Sequence, residues 1–91
     1  MALNFDISIA RDIAKIFPKD DNIEICVSDD GKVFVFNNFR NHKVITEFKG
    51  NGIVKIYPEN RKSSKSITYN INWSISNPTE GYKISLKQLF S

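Results

Sequence analysis

Four aspartates, Asp20, Asp21, Asp29 and Asp30, are the first residues in this chain whose types and spacing could do chemistry. Paired carboxylates can hold a divalent cation or share acid–base work. Here the spacing argues against a common site. The two pairs flank residues 23–27, which read as a strand, and the nine residues from Asp20 to Asp29 span about 30 Å when extended. Ser28-Asp29-Asp30-Gly31-Lys32 also lacks the ligand spacing of a calcium loop. These carboxylates read as solvated turn residues.

His42 is the only histidine and Cys26 the only cysteine. A zinc site needs more soft ligands than that, and a nucleophile–base–acid set has no supporting motif such as G-x-S-x-G. Cys26, within Ile-Glu-Ile-Cys-Val, reads as a small buried hydrophobe. The expectation is therefore no enzyme, no metal and no cofactor. With no second cysteine for an internal disulfide, the chain fits a reducing compartment. It opens without a basic signal-peptide region and holds no apolar run long enough for a membrane span, so a cytoplasmic location is expected. Asn72-Trp73-Ser74 matches a glycosylation sequon that has little meaning in that setting.

The basic residues carry more information. Net charge is +3, but residues 1–32 hold four Lys/Arg against seven Asp/Glu, whereas residues 40–65 hold seven against two. Such asymmetry steers encounters with charged partners. Arg40, Lys43, Lys49, Lys55, Arg61, Lys62 and Lys65 could form one patch, and Arg61, Lys62 and Lys65 share a loop with Ser63, Ser64 and Ser66. Cations with small hydrogen-bonding groups suit phosphate. Single-strand binding adds exposed aromatics on a sheet, for which Phe39, Tyr57, Tyr69 and Trp73 are candidates. No RNP-type aromatic motif or glycine-rich clamp supports that reading, and +3 is weak for a nucleic-acid binder.

The elements that must position these residues follow from periodicity. Ile9, Ile13, Ile16 and Phe17, with Ala10 and Ala14, fall on one helical stripe, whereas Asp6, Arg11, Asp12 and Lys15 fall elsewhere. This predicts an amphipathic helix over residues 6–17, stopped by Pro18. Strands are predicted at 23–27, 33–37, 43–49 and 53–57, with turns at 28–32 and Gly50-Asn51-Gly52. A polar loop fills 58–66. Residues 67–76, ITYNINWSIS, alternate throughout and predict the longest strand. Ile67, Tyr69, Ile71, Trp73 and Ile75 lie on its inner side, with Thr68, Asn70, Asn72, Ser74 and Ser76 outside. Tyr82, Ile84 and Leu86 alternate against Lys83 and Ser85, predicting a sixth strand, and residues 87–91 a short helical turn.

The fold class is α+β, one domain over residues 1–91: an N-terminal amphipathic helix packed on one face of a curled antiparallel meander of about five to six strands. The second strand is apolar on both sides, with Val33 and Val35 pointing one way and Phe34 and Phe36 the other. One helix covers one face. The other must be closed by curvature, by residues 86–90 or by another molecule.

These observations favour a small non-catalytic binding protein that docks on and inhibits another macromolecule, in the manner of toxin-neutralising immunity proteins or phage-encoded inhibitors of a host system. The alternative is a small nucleic-acid-binding domain using the basic 40–65 region. Another protein is the favoured partner, with no membrane. A homodimer through a sheet edge is a further arrangement. The residues expected at the contact are Arg61, Lys62, Lys65, Arg40 and Lys43 as steering and rim cations, Asn70 and Asn72 as hydrogen-bonding groups, and Phe34 and Phe36 as apolar anchors.

Overall fold

The computed structural model describes residues 2–16, 23–60, 65–71 and 78–90. Of the expected site residues, Arg61, Lys62 and Asn72 lie outside these, as do Phe17, Pro18, Asp20, Asp21, Ser63, Ser64 and Trp73. The chain is an α+β domain in the order α1 (Ala2–Ala14), β1 (Glu24–Val27), β2 (Val33–Phe39), β3 (His42–Gly50), β4 (Ile53–Pro58), β5 (Ile67–Asn70) and α2 (Pro78–Leu89). The five strands form one open antiparallel sheet in sequence order.

Three tight turns set its register. In the first, the Ser28 and Lys32 backbones pair and Gly31 takes φ +83°, as the glycine there predicts. Ser28 Oγ donates to the Asp30 carboxylate, which this bond holds below the usual carboxylate range. In the second, Phe39 pairs with His42 across Arg40 and Asn41, both at positive φ (51° and 65°). Two left-handed central residues make a type I′ hairpin, whose twist suits the strands it joins. Asparagine tolerates this conformation but arginine rarely does, so the sequence does not announce the turn, and both flanking strands run longer than expected. The third turn, Gly50-Asn51-Gly52, is left-handed throughout, at φ 94°, 56° and 80°.

With register fixed, alternate residues bury on one face: Val33, Val35 and Asn37; Val44, Thr46 and Phe48; Val54 and Ile56. Both helices pack there. Ile9, Ala10 and Ile13 of α1 join Tyr82, Leu86 and Leu89 of α2 in the same core. Asp6, expected off the helical stripe, is only 8% exposed. It stands one turn before Ile9 and Ala10, on their face, and burial raises its carboxyl above the usual 3.8.

The expected sixth strand is a helix, and this is the main correction. Tyr82, Ser85, Leu86 and Leu89 are buried, whereas Ile84 is 51% exposed. That is i, i+3, i+4, i+7 spacing, a helical stripe. Glu80 in the first turn and Lys87 in the last match the helix dipole. Of the long strand expected over 67–76, the described residues form β5, Ile67–Asn70, with the Ile71 N–H donating on to the Gly52 carbonyl, and residues 72–76 lie outside them. Its inner residues Ile67, Tyr69 and Ile71 do face the core, as the alternation predicts.

Candidate docking face

The other face of the sheet is covered by no helix or strand among the described residues, because α1 and α2 both lie on the valine side. Residues 86–90, one of the segments expected to close it, pack with α2 on the opposite side instead. Leu86 and Leu89 are core, and the Phe90 ring stacks between Phe39 (5.6 Å) and His42 (4.8 Å).

Register assembles this open face from five strands that the sequence does not visibly connect. Glu24, Phe36, Ile45 and Tyr57 stand in one cross-strand row; Cys26, Phe34, Glu47, Lys55 and Thr68 stand in the next. Phe34 and Phe36 are half-buried, with rings stacked at 6.5 Å and tilted 23°. Cys26, Ile45 and Tyr57 are half-buried beside them. An open concavity of about 560 Å³ is lined by Glu24, Cys26, Phe36, Asn38, Lys43 and Glu59. Cys26 is thus a wall of this surface rather than a core residue.

Charges frame the aromatic centre. Lys32 and Lys49 both reach the same oxygen of Glu47, at 3.8 and 3.9 Å. Lys55, directly across from Glu47 on β4, holds its ammonium 5.6 Å from the Tyr57 ring centroid. Toward the other end Lys43 meets Glu59 at 3.7 Å, an exposed pair worth little to stability.

The expected site residues divide accordingly. Phe34, Phe36, Lys43 and Asn70 share the open face, Asn70 opposite Ile53 at its β5 edge. Arg40 is in the β2–β3 turn with its guanidinium 4.9 Å from the Phe39 ring centroid, and Lys65 is exposed just before β5. Of the aromatics considered for base stacking, Tyr57 is on the open face, whereas Phe39 and Tyr69 pack against the core. Sequence reading missed Ile45, Glu47 and Cys26 as members of this surface. The signal for them is parity, which is useful only once the Arg40-Asn41 turn fixes the offset between β2 and β3.

Among the described residues no cluster of three or more His, Cys, Asp or Glu could hold a metal ion, and no helix is long and apolar enough to cross a membrane. Comparison with known protein families, curated proteins and solved structures finds no match to this chain.

Proposed function

We propose that this chain is a non-catalytic binding protein that docks on another protein through the open face of its sheet. Blocking the partner's own interactions would follow from occupying its surface, as immunity proteins and phage-encoded inhibitors do. The observation that carries the proposal is the placement of both helices on one side. It leaves Phe34, Phe36, Ile45 and Tyr57 contiguous on the other, ringed by ion pairs. Aromatic anchors within a polar rim have the make-up of an interface centre.

Size bears on how the face would be used. Five strands are about 24 Å across, and six residues of strand are about 20 Å long. That area falls short of the roughly 800 Å² a standard interface takes from each partner. The shortfall would be met at the rim by the turn and loop residues Lys32, Arg40 and Lys65. The basic loop then has a role in steering rather than anchoring.

Nucleic acid is the weaker reading for this face. Glu24, Glu47 and Glu59 are interleaved with its lysines, and three of the four lysines are in ion pairs with Glu47 or Glu59. A phosphate backbone crossing the sheet would meet those carboxylates.

The single cysteine gives a direct test. A thiol-reactive photo-crosslinker on Cys26 reports from the β1 edge of the face, beside Phe34, and one on Lys83→Cys, in a Cys26→Ser background, reports from the exposed side of α2. In lysate of the source cell the Cys26 probe should give one discrete, nuclease-resistant protein adduct that the α2 probe does not. A nuclease-sensitive adduct, or identical patterns from both probes, contradicts the proposal.

A further inference from the structure

β1 is one of the two edges of the sheet, and no strand among the described residues pairs with its outer side. The hairpin register determines which of its backbone groups face outward. The Ser28 N–H donates to the Lys32 carbonyl, so Ser28 and Lys32 form a hydrogen-bonded pair. In an antiparallel ladder such pairs alternate with non-hydrogen-bonded ones. Cys26–Phe34 and Glu24–Phe36 are therefore the bonded pairs, and Ile25 and Val27 turn their N–H and C=O groups away from β2. Those groups are a template for another strand, and β1, Glu-Ile-Cys-Val, has no proline or lysine to block one. Val27 is also 49% exposed, at the margin of the valine side. The opposite edge differs, because α2 packs beside β5 with Gly81 against the Tyr69 phenol.

We infer that β1 pairs antiparallel with β1 of a second copy of this chain, about a two-fold axis at Cys26. A second copy suits this edge because one symmetric contact closes both exposed edges at once. The register follows from the strand itself. Setting Ile25 opposite Val27 of the second copy, and Val27 opposite its Ile25, uses both outward-facing residues and makes about four backbone hydrogen bonds. Each exposed Val27 gains an isoleucine across the strands. Sliding two residues toward the turn puts Glu24 opposite Asp30, like charge against like. Sliding two the other way pairs Val27 with Ile23, outside the strand.

The pairing is weak by size, since it joins only the four residues of β1 on each side. It also brings the exposed Glu24, Asp29 and Asp30 of the two copies near one another. Salt screens that repulsion and strengthens the pair, the reverse of a charge-driven contact. Cys26 faces Cys26 of the second copy in a non-hydrogen-bonded position, where Cα atoms stand about 4.5 Å apart, within reach of a disulfide. The two open faces then lie side by side as one continuous sheet surface. The inference goes beyond the docking reading, which a monomer also satisfies.

The test uses the whole chain, first with its thiol reduced. Sedimentation from micromolar to millimolar concentration should show a monomer–dimer equilibrium that salt shifts toward dimer. Val27→Pro removes an outward N–H that bonds nothing among the described residues, and Val27→Lys places a charge at the edge. Each variant, with folding verified by NMR, should weaken association roughly tenfold or more. Diamide, which takes up both thiol hydrogens as the disulfide forms, should link the dimer through Cys26. Lys83→Cys in a Cys26→Ser background should link at least about tenfold more slowly under the same conditions. A strict monomer at every concentration overturns the inference and leaves docking through a single face standing. A dimer that survives both Val27 variants overturns it by moving the contact off this edge. A dimer that diamide links no faster through Cys26 than through Lys83→Cys overturns the register.

Discussion

Tyr82 is where a single side chain joins helix to sheet. Its ring is buried, and its hydroxyl lies 2.7 Å from Thr46 Oγ1 and donates to Asn37 Oδ1 at 3.3 Å. Burial pushes the phenol up to about 12, against the opposing effect of the Thr46 hydrogen bond. Between the ordinary value of 10 and about 12 the folded chain keeps a proton that the unfolded chain releases, so stability falls as pH rises through that window. Tyr82→Phe strands two buried polar groups, Asn37 Oδ1 and Thr46 Oγ1, a cost of about 1–3 kcal/mol. It should lower Tm at neutral pH by roughly 5–15 °C and flatten the loss above pH 10 that Tyr82 causes. Thermal melts from neutral to alkaline pH check both. An unchanged alkaline slope would remove Tyr82 from the account. None of this was legible beforehand. Asn37 and Thr46 looked like ordinary strand polar residues, and their burial follows from where the second helix lands.

At the scale of elements, the misread segment is the most instructive. Tyr82, Ile84 and Leu86 alternate with Lys83 and Ser85 over only five residues, a span short enough for strand and helix periods to fit equally well. Extending the window to Leu89 breaks the tie, because Ser85 then falls on the stripe and Ile84 off it. Gly81 lies inside α2, where glycine is ordinarily unfavourable. Its reason is tertiary: a Cβ there would run into the Tyr69 phenol. Gly81→Ala, which in an open helix gains about 1 kcal/mol, should here destabilise by about 1–3 kcal/mol through overpacking. The Tyr69→Val background should restore the usual gain, a coupling that denaturant melts of the four proteins would reveal. Additive effects would contradict the packing assigned to this pair. By contrast the presence and apolar face of α1 and the two glycine turns were readable from local residues, although α1 runs Ala2–Ala14 rather than over 6–17 and ends before Pro18. The type I′ turn was not, because it seats an arginine where glycine or asparagine is usual.

For the whole molecule, the two-sided apolar character of β2 was plain in Val33, Phe34, Val35 and Phe36, and it correctly posed the question of what covers the second face. The answer depended on α2, whose type was misread, so the face emerged only when both helices were placed. Its charged frame was partly legible. The lysines stood out, whereas Glu47 and Ile45 joined them only through strand register. The resulting molecule has a helical side that carries the stability and a sheet side free to make contacts. That division leads to one measurement above others: the affinity of the protein captured through Cys26 for Phe36→Ser, with Ile84→Ser on the exposed side of α2 as control and folding verified for each. Phe36→Ser should lose about 2 kcal/mol or more of binding, roughly thirtyfold, with Ile84→Ser unchanged. Full affinity in Phe36→Ser together with a loss in Ile84→Ser would contradict it and move the contact to the helices.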